Sequence, residues 1–102
     1  MTQPLEFFNP YAHGFARVAV AVPRIRVADP SFNAEETVAM LDAAAAQGAV
    51  VVAFPELGLS AYTCDDLFHQ RALLDACERA LGTIAEATAA LSVVAIVGLP
   101  LR

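Results

Sequence analysis

A continuous run of apolar, largely β-branched residues, Ala49–Phe54, constrains the fold of this chain more than any other feature. Strands with this pattern are buried on both faces, as in parallel sheets that helices cover. Gly48 precedes the run, and Pro55 ends it because proline cannot continue a strand ladder. Two further strands are predicted by the alternating segment 17–27 and by the apolar run 93–97.

Helical periodicity occupies the two intervals between these predicted strands. Apolar residues repeat at helical spacing before Gly48, which we expect to be the C-cap of a first helix. Asn33, with Glu36 three residues later, predicts the N-cap and capping box of that helix. A second helical stripe covers residues 70–91. The order strand–helix–strand–helix–strand predicts an α/β layered fold.

Composition and charge exclude several classes of function. The six arginines are scattered, lysine is absent and the net charge is −5, so we expect no nucleic-acid partner. No apolar run approaches the roughly 20 residues that a membrane span needs, and the start lacks the basic region of a signal peptide. The two cysteines lack metal-ligand spacing and predict neither a disulfide framework nor a zinc site. We therefore expect a cytoplasmic protein without a metal or membrane partner.

The apolar character of the chain predicts contacts beyond one small domain. Apolar types make up 58% of the 102 residues, and charged types make up 17%, against about 25% in an ordinary soluble domain. Such a surface is hard to keep soluble alone, so we expect a homo-oligomer and a truncated chain that ends just after Pro100. The aromatic residues of segment 7–15 either fold back on their own domain or contact another subunit.

Glu56 is the principal candidate for chemistry because it directly follows the strand predicted at 49–54. Functional side chains in α/β sheets gather just beyond the carboxyl ends of the strands. A carboxylate held there by a rigid strand is suited to act as a general base. On position alone, an acid that caps the next turn or faces solvent remains the alternative.

The segment FPELGLSAY, residues 54–62, resembles the first signature of the nitrilase, or carbon–nitrogen hydrolase, superfamily. In that signature a strand ends in Phe-Pro-Glu-Leu and a tyrosine follows shortly. Together with YAHGFARVAVAV, the run from DPSFNAEE to Phe54, the acidic pair Asp65–Asp66 and VVAIVGLPLR, it is similar to the glutaminase domain of glutamine-dependent NAD synthetases. The resemblance implies that residues 1–102 are the N-terminal portion of such a domain, with the fold of a partial αββα sandwich.

The resemblance also implies roles for individual residues. Glu56 falls on the general base of a Glu–Lys–Cys triad, and Tyr62 either lines the pocket beside it or packs its loop on the core. In the family, the cysteine attacks the glutamine carboxamide and the lysine holds the oxyanion. The released ammonia amidates ATP-activated deamido-NAD to NAD in a separate synthetase domain. The implied partners are glutamine, deamido-NAD and ATP with Mg²⁺; no cofactor or metal site is expected in this segment.

The chain departs from the family pattern at three places. It contains no lysine, so the second triad member is absent. Neither cysteine corresponds to the nucleophile: a local pair of Cys64 with Glu56 is a minor alternative, and Cys77 lies on a helical apolar stripe where an inert buried thiol is expected. Ala61 replaces the usual glycine before the tyrosine, which strains the loop if φ is positive there. We therefore expect the 102 residues alone to be inactive.

Other assignments remain open at this stage. The acidic pair is predicted to cap a short helix rather than to bind a ligand. A stand-alone amidase or carbamoylase of the same superfamily is one alternative function, and it lacks the Ser-Gly-Gly-rich pyrophosphate-binding loop of a synthetase. A non-catalytic α/β assembly module is the alternative from another class, and it would not depend on Glu56.

Overall fold

Three parallel strands form a sheet in the computed structural model, which describes residues 6–61 and 70–101. Strand β1 spans Val18–Val20, β2 spans Val51–Ala53 and β3 spans Val94–Ile96. The strand order is β1-β2-β3, and Val52 pairs with Ala19 on one side and with Ala95 on the other. The strand that was predicted from the apolar run at 49–54 is therefore the central one.

Two α-helices connect these strands and pack against each other. Helix α1 spans Pro30–Ala46 and helix α2 spans Arg71–Thr88. Two short 3-10 helices, at Glu6–Phe8 and Pro10–His13, precede β1. The predicted strand–helix–strand–helix–strand order is confirmed. Within the described segments, neither helix is both long and apolar enough to cross a membrane.

The predicted start of α1 is wrong by four residues. The N-cap is Asp29, whose carboxylate accepts the Phe32 N–H at 3.2 Å, and Pro30 occupies the first turn. Proline suits this position because its missing N–H would have no partner inside the helix and its φ is already helical. Glu36 forms no capping box; it forms an ion pair with Arg24 at 2.8 Å.

The end of α1 lies close to the predicted position. Gly48 was predicted to be the C-cap, but the C-cap is Gln47. Gly48 is the next residue, with a φ of 84°. The Gly48 N–H donates to the Ala45 carbonyl at 3.0 Å. A left-handed glycine in this place is a common way to end a helix, because glycine has no Cβ to clash.

The hydrophobic core lies between the sheet and the two helices. Val52 is completely buried at its centre, with Leu41 of α1 and Ile84 of α2 packed in the same cluster. The opposite face of the sheet presents apolar side chains that are between 54% and 82% exposed: Val18, Val20, Val94 and Ile96. Residues 6–61 and 70–101 therefore cover one face of the sheet, whereas both faces were expected to be covered.

The aromatic segment before β1 is tied to its own domain through one side chain. The Tyr11 hydroxyl donates to the Gly48 carbonyl and accepts the Arg17 N–H at 3.2 Å. Phe7, Phe8 and Phe15 nevertheless remain 76%, 72% and 69% exposed. The segment thus folds back at Tyr11, and a subunit contact through the three phenylalanines stays a prediction.

Candidate functional site

Three loops meet at the carboxyl edge of the sheet. Residues 21–28 follow β1, residues 54–61 follow β2 and residues 97–101 follow β3. The pairing continues into these loops: the Ala21 N–H donates to the Ala53 carbonyl and the Phe54 N–H donates to the Ile96 carbonyl, both at 2.9 Å. Because β2 is the central strand, its loop, which carries Glu56, lies between the other two.

Two consecutive turns set the position of Glu56. The Gly58 N–H donates to the Pro55 carbonyl at 3.1 Å, and the Leu57 carbonyl accepts the N–H groups of Ser60 and Ala61 at 3.2 and 2.9 Å. Leu57 and Ala61 have φ values of 58° and 69°. Left-handed backbone costs a residue with a Cβ roughly 1–2 kcal/mol. Ala61 therefore adopts a positive φ, a conformation that is less favourable for alanine than for the glycine usual at this position.

Gly98, just beyond β3, lies against the backbone of Glu56. A Cβ at this position would lie 2.8 Å from the Glu56 Cα and 2.9 Å from the Glu56 carbonyl carbon, and closer still to the Leu57 nitrogen. The Gly98 carbonyl also accepts the Leu59 N–H at 3.1 Å. The third strand was predicted at 93–97, and Gly98 follows that run directly; a glycine at a strand end is the signal for this close approach.

A buried amide joins two of the three loops. The Asn33 side chain is fully buried, and its Oδ1 accepts the Arg26 N–H at 2.7 Å. Its Nδ2 donates to the Arg26 carbonyl and to the Leu59 carbonyl, both at 2.9 Å. Sequence reasoning assigned Asn33 to the helix N-cap and missed this role. A polar residue beside Ala34, where the apolar helix stripe begins, was the available signal.

The carboxylate of Glu56 is exposed. An apolar cavity of about 160 Å³ lies at the same edge and is lined by residues from all three loops and from α1, including Ile25, Phe54, Leu59 and Val97. Glu56 does not line this cavity. Among the described residues, Glu56 is thus accessible at this edge of the sheet.

The other sequence-predicted site residues divide into two groups. Tyr62, Cys64, Asp65 and Asp66 lie outside the described residues. Cys77 is completely buried on α2 beside Leu73, as expected for an inert thiol. Across residues 6–61 and 70–101, no group of three or more His, Cys, Asp or Glu side chains is arranged to hold a metal ion.

Comparison with known families identifies the class of this fold. The Carbon-nitrogen hydrolase family profile matches residues 17–102. The chain belongs to the carbon–nitrogen hydrolase family. The FPEL segment lies inside the match and forms the turn after β2.

Several proteins similar to this carbon–nitrogen hydrolase chain share one description. The "Glutamine-dependent NAD(+) synthetase" of Mycobacterium tuberculosis is 41% identical over 98 residues, which are 96% of this chain and 14% of that protein. Proteins of the same description from Mycobacterium leprae and Xylella fastidiosa are 37% and 40% identical over 98 and 87 residues. The chain thus spans only 14% or 16% of these relatives.

The fold is shared with a solved structure. The crystal structure of a glutamine-dependent NAD(+) synthetase from Cytophaga hutchinsonii superposes with a TM-score of 0.78, covering 85% of this chain and 15% of that one. The two sequences are 22% identical over this region, so the likeness establishes the fold alone. The α/β architecture predicted for this carbon–nitrogen hydrolase chain is confirmed.

Proposed function

We propose that this chain is part of the glutaminase domain of a glutamine-dependent NAD synthetase and that Glu56 is its general base. The single observation that carries the proposal is the match of 96% of the chain, at 41% identity, to proteins of that description. The geometry is compatible, since Glu56 follows the central strand in a turn held on both sides. The same match supports this function over that of a stand-alone amidase or carbamoylase.

In the proposed reaction Glu56 moves protons for a cysteine nucleophile. A thiol has a pKa near 8.5, so a neighbouring base helps to generate the thiolate. The thiolate attacks the glutamine carboxamide carbon, and Glu56 passes the thiol proton to the leaving nitrogen as ammonia departs. Water, deprotonated by the same carboxylate, then hydrolyses the thioester to glutamate. Tyr62 would support the pocket beside Glu56.

Two members of the triad are proposed to come from elsewhere in the complete protein. The chain contains no lysine to hold the oxyanion, and neither Cys64 nor Cys77 corresponds to the family's nucleophile. We therefore expect the 102-residue chain alone not to release glutamate. In the complete, cytoplasmic and homo-oligomeric protein, a synthetase domain would use ATP and Mg²⁺ to activate deamido-NAD, and ammonia would displace AMP to give NAD.

The test is Glu56→Gln in the complete protein. A general base contributes about 10²–10⁴-fold to rate, so glutamate release should fall by that factor. Synthesis of NAD from added ammonia should persist because it bypasses the glutaminase site. Glu78→Gln is the matched control, since it makes the same chemical change at an exposed position on α2. It should leave both activities unchanged.

The other outcomes identify the alternatives. Full glutaminase activity in the Glu56→Gln protein would contradict the assignment of the base and would favour an assembly module. Amide hydrolysis without any ammonia-dependent NAD synthesis in the unmodified protein would indicate a stand-alone amidase. Glutamate release by the purified 102-residue chain would show that the triad is not needed as proposed.

A further inference from the structure

The amide of Asn33 is placed to control the loop that carries Glu56. It uses its acceptor and both of its donor hydrogens within two loops: it forms a reciprocal pair with the Arg26 backbone and donates once to the Leu59 carbonyl. A planar amide can supply this combination, whereas a carboxylate only accepts and a hydroxyl has a single donor. The side chain is fully buried, so the loss of one of these bonds would leave a buried polar group without a partner, which costs free energy.

The contact with Leu59 adds a second hydrogen bond to a residue that is already bonded to the segment after β3. The Leu59 N–H donates to the Gly98 carbonyl and the Leu59 carbonyl accepts from Asn33, so both backbone polar groups of this residue are hydrogen-bonded. A backbone bond from the Ala28 N–H to the Ser60 carbonyl at 2.9 Å adds a second link between the two loops. Leu59 is three residues from Glu56 and lies within the same pair of turns.

Backbone strain is concentrated in the two loops that Asn33 joins. Three non-glycine residues of the described segments have positive φ: Ala28, Leu57 and Ala61, at 54°, 58° and 69°. All three lie in the loops that follow β1 and β2. Such conformations persist only where the surrounding structure fixes them. Without the Asn33 bonds, Leu57 is therefore expected to relax toward negative φ, and this rotation moves the adjacent Glu56.

We propose that Asn33 is a positioning residue for glutamine hydrolysis, which acts through the Leu59 carbonyl to hold the carboxylate of Glu56. This inference rests on the proposed role of Glu56 as general base. It predicts that loss of the amide lowers the rate of the chemical step and not only the stability of the domain.

The experiment compares Asn33→Asp and Asn33→Ala with Leu41→Ala in the complete protein. Leu41 is also fully buried on α1 but belongs to the core cluster between the helices and the sheet, so its truncation lowers stability without removing a loop bond. A misplacement of about 1 Å costs about a hundredfold in rate. The Asn33 variants should therefore lose about tenfold to a hundredfold in glutaminase kcat. Their KM for glutamine and their ammonia-dependent synthesis should stay near the unmodified values.

Two further measurements separate positioning from stability. In the Glu56→Gln background, Asn33→Ala should lower glutaminase kcat no further, because residues that act through one another are not additive. Amide hydrogen exchange at Leu59 should be faster in Asn33→Asp than in Leu41→Ala at matched melting temperature. Asn33→Asp keeps the side-chain size but turns an acceptor toward the Arg26 and Leu59 carbonyls, a repulsion that Asn33→Ala lacks, so Asn33→Ala provides a folded variant if Asn33→Asp does not fold.

Each contrary result has one meaning. The inference is overturned, while the proposed function stands, if the Asn33 variants lose stability but have the same glutaminase kcat as Leu41→Ala. It is also overturned if Asn33→Ala lowers kcat as much in the Glu56→Gln background as in the unmodified protein. If Glu56→Gln itself keeps full glutaminase activity, the proposed function fails and the inference fails with it.

Discussion

Replacing Gly98 by alanine tests whether the close packing of β3 against the Glu56 turn controls the candidate site. The new Cβ would meet backbone atoms of Glu56 and Leu57, and backbone cannot rotate away as a flexible side chain can. The chain must therefore move at a point adjacent to the carboxylate. The carbonyl of Gly98, which accepts the Leu59 N–H, would be displaced in the same movement.

The size of the effect follows from the contact distances. Ordinary contact begins at 3.4 Å, whereas the Cβ would lie 2.8 Å from the Glu56 Cα, so a shift of at least 0.6 Å is required. Overpacking of this kind costs about 1–3 kcal/mol of stability. Since a displacement of about 1 Å costs about a hundredfold in rate, we expect glutaminase kcat to fall roughly tenfold.

The assay measures urea unfolding and steady-state glutamate release of the complete protein. Gly82→Ala is the matched control, because a Cβ at this exposed position in α2 meets nothing within 4 Å. It should add about 0.5–1 kcal/mol of stability, since alanine is the better helix former, and should leave activity unchanged. Wild-type stability and kcat in Gly98→Ala would refute the close approach as the constraint on Glu56.

Three further changes test the local structure by urea unfolding. Ala61→Gly should be neutral to stabilising by up to about 1 kcal/mol, because relief of the left-handed cost exceeds the added flexibility of the unfolded chain; a clear loss would contradict the φ of 69°. Asp29→Ala should cost about 1 kcal/mol and Asp29→Asn much less, since asparagine also caps; equal losses would refute the cap to Phe32. Gly48→Ala should cost about 1 kcal/mol because its φ is 84°, and no change would argue against that turn.

The sequence predicted the sheet and helices well, because their signals are local. The continuous apolar run at 49–54 predicted one strand, the periodic stripe at 70–91 predicted one helix, and both elements were found. The start of α1 was misassigned because Asp29 and Asn33 are both good N-cap residues and both stand before a helical stripe. Proline at position 30 favoured the earlier start, and the structure follows it.

The candidate site was predictable only in part for a different reason. The place of Glu56 after the central strand was predictable because it depends on one strand and one proline that are adjacent in sequence. The Asn33 and Gly98 contacts join segments that are distant in sequence, and no local pattern encodes which carbonyl an amide will reach. What covers the exposed valines of the sheet is equally non-local, since the run at 49–54 indicates burial but not by which segment.

The contact between Gly98 and the turn at residues 54–61 also implies an order of folding events. Leu59 and Gly98 are 39 positions apart, so the bond between them closes only after α2 and β3 have been synthesised and docked. Contacts between distant segments form late because the intervening loop must be closed first. On a growing chain, Glu56 is therefore present well before it is aligned. The strained turn should be among the last parts of this unit to mature and among the first to open.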